Sequence, residues 1–234
     1  MTLKDLDMIS FEDRLLGGLY GLLVGDAVGT PYEFKSPNQI PPHDQIDMIP
    51  PKGYNKSWSN YPCGIWSDDG SQALCLLEYY TEREYTKATP WHVMWSMKLL
   101  RWQKGHLWVD GKSFDAGIQT EKALRKIMDG VDPLQAGDTS EYANGNGSLM
   151  RTLPVALWNL EMTTLKFYLE VENISHITHP HRRAKLCCVF YCEIARQLLV
   201  GERIIDAISL AEQKVKKYLE DFHHEYDKQG HILE

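Results

Sequence analysis

The chain has 234 residues, and its 43% hydrophobic and 24% charged residues are typical of a globular protein with a substantial core. Its formal charge of −7, from 25 Lys and Arg against 32 Asp and Glu, disfavours general binding to nucleic acid or anionic membranes, because phosphate groups repel an acidic surface. No apolar stretch reaches the roughly 18 residues that a membrane-spanning helix needs.

The cysteines and the N-terminal residues predict a cytoplasmic protein. The five cysteines are odd in number, contain no C-x-x-C pair, and include three within one helical pattern, which indicates reduced, buried thiols. The first 14 residues carry four acidic side chains and lack the apolar stretch of a secretory signal.

Helical patterns run along the chain, and the alternation typical of strands is nearly absent. In chain order the predicted helices cover residues 14–28, 70–80, 90–103, 114–128, 146–159, 163–175, 180–200 and 203–221. Ser113 is the predicted N-cap of the fourth helix, and Gly130 its end. We therefore expect an all-α fold, with about eight helices around one core in a single domain over residues 1–234.

The first predicted helix carries glycine at every fourth position: Gly17, Gly21, Gly25 and Gly29. Each glycine inside a helix lowers the stability of the helix by roughly 1 kcal/mol relative to alanine. Four glycines in register therefore indicate a structural or functional role for the stripe. The stripe favours close packing against another helix, and the close approach of a ligand is the alternative.

A long segment rich in proline follows this helix. Seven of the 11 prolines lie between positions 31 and 62. Loops of this length within a compact domain are usually lids, binding loops or disordered segments.

The sequence Trp66-Ser67-Asp68-Asp69 comes directly before an apolar helix. Two adjacent carboxylates and a hydroxyl group are hard oxygen ligands of the kind that Mg²⁺, Mn²⁺ and Ca²⁺ prefer. An N-cap followed by acids that complement the helix dipole explains the same residues without a metal, and it is the favoured interpretation of this motif taken alone.

Three further motifs carry weaker signals. The segment 144–148, Asn-Gly-Asn-Gly-Ser, provides backbone N–H groups that could hold a phosphate, although a simple turn explains it equally. His179 lies in a Thr-His-Pro-His motif, for which hydrogen bonding at a helix boundary is the favoured interpretation. Asp26 and Glu33 interrupt a glycine-rich apolar region, and a hydrogen-bonded carboxylate is the simple explanation for Asp26.

Taken in order, these motifs resemble the ADP-ribosylglycohydrolase family. They are G-D-A-x-G-x-x-x-E-F, W-S-D-D, F-D-A-G-x-x-T, G-N-G-S-L-M-R-x-x-P and T-H-P-H. The match as a whole runs over about residues 14–201. The resemblance implies an all-α fold, a centre of two Mg²⁺ or Mn²⁺ ions, and hydrolysis of the bond between ADP-ribose and a modified protein or another conjugate.

The resemblance also implies roles for individual residues. Ser67, Asp68 and Asp69 match the first metal-ligand triplet, and either aspartate could take a proton during catalysis. Glu33 matches a glutamate on a loop that covers the site. The matches to the segments that receive the ADP-ribose are Asp115, Gly117, Asn144, Gly145, Asn146, Gly147, Ser148 and His179.

Two departures from the family pattern bear on the metal centre. Gly70 stands where the family usually has threonine. The Asp-x-Asp-Thr segment near the C-terminus of the family, which supplies ligands to the second ion, has no counterpart, and the chain is shorter than its relatives at that end.

Several functions therefore stay open. The first is a metal-dependent hydrolase that removes ADP-ribose, and the alternative is a relative that binds ADP-ribose or a partner protein without turnover. Another chain could also complete the site. An Asp-rich phosphohydrolase ranks lower, because such all-α enzymes use His-Asp pairs spaced along helices, and the single His-Asp dipeptide, His43-Asp44, lies in the proline-rich segment.

Overall fold

A computed structural model describes residues 9–86, 88–108, 111 and 113–221. Within these residues the chain forms nine α-helices and no strand, which confirms the all-α prediction. The helices are α1 (Phe11–Gly29), α2 (Asp68–Arg83), α3 (Trp91–Gln103), α4 (Ile118–Met128), α5 (Pro133–Ala136), α6 (Leu153–Trp158), α7 (Thr164–His176), α8 (Arg182–Leu199) and α9 (Ile204–Asp221).

Helix α1 begins with a capping box. The Ser10 hydroxyl accepts the Asp13 N–H at 3.0 Å, and the Asp13 carboxylate accepts the Ser10 N–H at 3.2 Å. The two bonds satisfy backbone donors that have no partner inside the helix. This start lies three residues before the predicted one, since the cap rather than the apolar pattern sets it.

The predicted start of the fourth helix is wrong. Helix α4 begins at Ile118 rather than at residue 114, and Ser113 is not its cap, because Asp115 has a left-handed backbone with φ of 57°. The Phe114 ring packs instead against the rings of Trp58 and Trp108. Asp115, which lies in the loop before α4, is partly buried.

The predicted helix over residues 146–159 is also divided. It consists of a 3₁₀ turn, Leu149–Arg151, followed by the short helix α6. Pro154 lies in the first turn of α6, where it has no N–H to donate to a preceding turn, so a continuous helix cannot pass through it. As a result, residues 144–148 form a loop.

The core lies between α2, α3, α7 and α8. Its largest fully buried apolar side chains are Trp95 and Trp102 of α3, Tyr79 of α2, and Phe167 and Tyr168 of α7. None of the helices in the described part of the chain is both long and apolar enough to span a bilayer.

Helix α1 is apolar along most of its length, but of its 19 residues only Ala27 is buried. The expected close packing at the glycine stripe is wrong, because a Cβ added at Gly17, Gly21, Gly25 or Gly29 would meet no atom within 4 Å. Gly17 and Gly21 instead line an open groove of about 550 Å³ between α1 and α8. Gly18 and Leu157 of α6 line the same groove, and a Cβ at Gly18 would lie 3.3 Å from the Leu157 side chain.

These two neighbouring glycines make a matched pair for a stability test. We expect Gly17→Ala to raise the free energy of unfolding by about 1 kcal/mol, because alanine is the better helix former and its methyl group meets open space. Gly18→Ala should raise the free energy of unfolding by less than half of this amount, because the Leu157 side chain must move to make room for the new methyl group. Urea unfolding of both variants tests the prediction, and equal gains would contradict it.

Candidate active site

A cleft of about 740 Å³ opens beside the N-terminus of α2. Five carboxylates from four parts of the chain line it: Asp26 of α1, Glu33 of the proline-rich segment, Asp68 and Asp69 of α2, and Asp115 of the loop before α4. Its lining also includes Gly117 and the loop residues Asn146 and Gly147. The fold thus brings most of the predicted site residues to one cavity.

The Asp26 carboxylate joins α1 to the N-terminus of α2. Its Oδ2 atom accepts the N–H groups of Ser67 at 2.8 Å and Gly70 at 2.7 Å, and its Oδ1 atom accepts the Ser67 hydroxyl at 2.8 Å. A carboxylate at this position satisfies free backbone donors and complements the helix dipole. The interpretation of Asp26 as a hydrogen-bonded carboxylate is confirmed, and this contact sets the direction in which Asp68 and Asp69 point.

Gly70 makes this contact possible. A Cβ at this position would lie 2.8 Å from the Trp66 Cβ and 2.9 Å from Asp26 Oδ2. The glycine that departs from the family's usual threonine therefore leaves the room that the Asp26 carboxylate occupies.

Ser67 is the N-cap of α2, as the favoured interpretation of the motif predicted. Its hydroxyl accepts the Asp69 N–H at 3.4 Å and donates to Asp26, and the residue is completely buried. Asp68 and Asp69 form the first turn and line the cleft. Metal ligation by these three residues stays a prediction.

Burial and repulsion between neighbouring carboxylates raise the pKa values of the two aspartates of α2. Burial, followed by the charges of Asp69 and Asp115, raises the pKa of Asp68 to about 9. Burial, followed by the charge of Asp26, raises the pKa of Asp69 to about 6. The cleft therefore holds more negative charge than its surroundings compensate.

Glu33 and Asp115 extend this acidic surface. Burial raises the pKa of Glu33 to about 7, although the indole N–H of Trp58 donates to its Oε2 at 2.6 Å and opposes the shift. Burial also raises the pKa of Asp115. Next to Glu33, Phe34 has a left-handed backbone with φ of 58°, and its ring, which also lines the cleft, is 80% exposed.

The donor chemistry of the cleft suits a hard divalent cation, since carboxylate oxygens are the ligands that Mg²⁺ and Mn²⁺ prefer and the excess negative charge needs a counter-ion. Within the described residues, however, no group of three or more His, Cys, Asp or Glu side chains is arranged to hold an ion. The Asp26 carboxylate already accepts four hydrogen bonds, one of them from the Thr30 hydroxyl, so its role is structural. Asp68 and Asp69 are the side chains of this set that fit a cation best.

The loop 144–148 has two faces. Asn146 and Gly147 line the cleft. The Gly145 N–H donates to Gln119 at 3.0 Å, and the Asn144 side chain donates to a backbone carbonyl at 2.9 Å. Ser148 is completely buried, and its hydroxyl accepts the Ser175 hydroxyl at 2.8 Å. Substrate contacts by these residues stay predictions.

His179 lies beneath this loop rather than in the cleft lining. Its ring is so close that a Cβ on Gly147 would lie 3.1 Å from its Cε1 and Nε2 atoms, and the residue is only 2% exposed. Sequence reasoning assigned no role to Trp58, Gln119 or Arg151. The first two carry no local signal, while Arg151 is part of the glycine-loop motif and is completely buried.

Comparisons with known proteins give matches over most of the chain. The family model of ADP-ribosylglycohydrolase matches residues 7–232. The chain is 31% identical over 179 residues to the ADP-ribosylarginine hydrolase Tri1 of Pseudomonas putida (strain GB-1), an alignment that covers 75% of this chain and 44% of that protein. It is 27% identical over 190 residues to the ADP-ribosylarginine hydrolase Tri1 of Serratia proteamaculans (strain 568), which covers 81% of this chain and 48% of the relative.

The alignment with a third relative covers a larger share of both proteins. The chain is 26% identical over 217 residues to the ADP-ribosyl-[dinitrogen reductase] glycohydrolase of Rhodospirillum rubrum, an alignment that covers 92% of this chain and 68% of the relative. The chain spans about half the length of the two hydrolases named Tri1.

The raised pKa of Asp68 predicts a pH dependence of stability. Since its pKa rises from 3.8 to about 9 in the folded chain, folding favours the protonated carboxyl group, and this stability is lost as the pH rises between about 4 and 9. With EDTA present, we expect the melting temperature to fall from pH 5.5 to pH 8.5. The melting temperature of the Asp68→Asn variant should fall by several degrees less over the same pH range. An equal fall in the two proteins would contradict the prediction.

Proposed function

This chain belongs to the ADP-ribosylglycohydrolase family, and we propose that it hydrolyses the glycosidic bond between ADP-ribose and a modified protein side chain. The observation that carries the proposal is the convergence of five carboxylates on one cleft that the loop residues Asn146 and Gly147 also line. Carboxylates are the groups that glycoside hydrolysis requires, and a glycine-rich loop suits the phosphates and ribose of the ligand.

Arginine is the acceptor that this cleft favours. Its guanidinium group is cationic after release, so the excess negative charge of the cleft stabilises the leaving group. The printed names of the two hydrolases called Tri1 specify ADP-ribosylarginine, which supports the same acceptor.

The proposed chemistry is an attack by water on the anomeric carbon of the ribose that carries the acceptor. Asp69, whose pKa of about 6 leaves it ionised at neutral pH, takes the proton of the attacking water. The bond from the anomeric carbon to the acceptor nitrogen breaks, and that nitrogen gains a proton. Glu33 has a pKa of about 7, so it is partly protonated at neutral pH and is suited to donate this proton.

Mg²⁺ or Mn²⁺ is the cofactor that we propose, with Asp68 and Asp69 as its ligands. When bound, such an ion offsets the charge of the carboxylates. The pKa of Asp68 means that ligation and protonation compete, so the affinity for Mn²⁺ should increase between pH 6 and pH 9.

Release of ADP-ribose from an ADP-ribosylated arginine protein, assayed with Mn²⁺, tests the function. We expect Asp69→Ala to lower kcat by at least about 100-fold, in line with the loss of a general base. Asp206→Ala is the matched control, because Asp206 is an exposed carboxylate of α9 paired with Arg203, and its activity should equal that of the unaltered chain. Equal activity of both variants would contradict the proposed role of Asp69.

Binding without turnover is the second candidate. It is favoured by the absence, within the described ranges, of three side chains arranged to hold an ion. Calorimetry with ADP-ribose separates the two functions. Affinity that is the same in Mn²⁺ and in EDTA, together with no release of ADP-ribose, supports the binding protein, whereas affinity that rises at least about tenfold with Mn²⁺ supports the hydrolase.

A further inference from the structure

An exposed aromatic ring lies at the opening of the cleft. Phe34 follows Glu33 directly in the chain, and it lines the cleft although it is 80% exposed. The other large apolar residues of the lining are all partly buried: Leu22, Leu149, Met150 and Tyr191. A ligand that covers the Phe34 ring would remove apolar surface from water, which favours binding.

Neighbouring residues of the proline-rich segment hold this ring in place. The Ser57 hydroxyl donates to the Glu33 carbonyl, and the Trp58 indole donates to the Glu33 carboxylate at 2.6 Å. The Phe34 ring makes a T-shaped contact with the Trp58 ring, with the ring centroids 5.9 Å apart, and Trp58 packs in turn on the buried Phe114. The ring and the carboxylate therefore share one support, and little side-chain freedom is lost when a ligand meets them.

The backbone of Phe34 is strained. Its φ of 58° lies in the left-handed region, which a bulky residue rarely adopts. Such strain persists only where the surrounding contacts hold it, and it is concentrated at sites that bind ligands. Because the ring is exposed and lies outside the core, folding alone does not explain a phenylalanine at this strained position. A contact between the ring and a ligand does.

The chemistry around the ring favours a planar cation. The face of an aromatic ring carries negative electrostatic potential, and a guanidinium group stacks on it. Glu33 and Asp115 share the lining with Phe34, and among the described residues no Lys or Arg lines this cleft. A neutral base such as adenine would gain the stacking alone, whereas a guanidinium group would also be attracted by the carboxylates.

We propose that Phe34 is a specificity-determining residue whose ring stacks on the guanidinium group of the acceptor arginine, beside the Glu33 carboxylate. The inference rests on the proposed function for the identity of the ligand, an arginine that carries ADP-ribose. The ring distinguishes this acceptor from a neutral one such as serine, because a hydroxyl group offers neither a planar face nor a charge to the ring. The ADP-ribose part of the ligand does not contact the ring, so the affinity for free ADP-ribose is independent of Phe34.

Calorimetry with three ligands tests the contact. They are a peptide ADP-ribosylated on arginine, the same peptide with an ADP-ribosylated serine in place of that arginine, and free ADP-ribose. The titrations are made in EDTA, and mass spectrometry verifies that the peptides stay intact. We expect the unaltered chain to bind the arginine peptide at least about tenfold more tightly than the serine peptide, because only the guanidinium group gains both the ring and the carboxylates.

Three variants isolate the contribution of the ring. Phe34→Leu removes the aromatic face but keeps an apolar side chain, so the Kd for the arginine peptide should rise about fivefold to tenfold, and the Kd values for the other two ligands by less than about twofold. Phe34→Tyr keeps the face and should bind all three ligands as the unaltered chain does. Tyr85→Leu is the matched control and should change no Kd, because Tyr85 is 87% exposed and does not line the cleft.

Weaker binding of the arginine peptide alone in Phe34→Leu, restored in Phe34→Tyr, supports the inference. Equal weakening of all three ligands overturns it, because the ring would then contact the ADP-ribose. The inference is also overturned if Phe34→Leu binds the arginine peptide as tightly as the unaltered chain, if Phe34→Tyr does not restore binding, or if the unaltered chain does not bind that peptide measurably.

The proposed hydrolysis is tested separately, by release of ADP-ribose from the arginine peptide with Mn²⁺. Arginine-selective weakening in Phe34→Leu, together with no release by the unaltered chain, supports the inference and contradicts the hydrolysis alone. Release by the unaltered chain, together with unchanged binding in Phe34→Leu, contradicts the inference alone.

Discussion

The hydrogen bonds from Ser67 and Gly70 to the Asp26 carboxylate are the contact on which the candidate site depends. They satisfy backbone donors at the start of α2, where a helix has none of its own partners. Because they fix the first turn of α2 against α1, they also fix Asp68 and Asp69 at the edge of the cleft. The Asp26 carboxylate therefore has a structural role, and it holds Asp68 and Asp69 in the lining of the cleft.

The carboxylates of the cleft and the buried guanidinium group of Arg151 lie in separate groups of hydrogen bonds. The carboxylates on its surface have raised pKa values because they are buried beside one another. Behind the glycine loop lies the guanidinium group of Arg151, whose pKa burial lowers to about 10. Such an arrangement costs stability in the isolated chain and is typical of functional sites, where the binding of a ligand or ion offsets the cost.

The glycine loop connects these two regions. Asn146 and Gly147 line the cleft, whereas Ser148 is anchored in the interior by Ser175. His179 packs against the loop from below, and a Cβ on residue 147 would lie 3.1 Å from its ring, so a larger residue there would require the ring to shift. The loop therefore connects a buried polar network to the lining of the cleft.

The resemblance to the family indicated the segments that line the cleft. The sequence pattern predicted the all-α fold, most of the helix bounds and the cap at Ser67, because apolar periodicity and capping residues act over a few neighbouring positions. It placed the start of α4 wrongly, since the left-handed backbone at Asp115 arises when the Phe114 ring packs against residues distant in sequence. Three features exist only in the folded chain: the hydrogen bonds of Asp26 at the start of α2, the open space at the glycine stripe, and the contacts of Arg151 and His179 with the Thr178 hydroxyl. Each of these depends on a contact between residues far apart in the chain, and no local pattern records which distant partner a side chain meets.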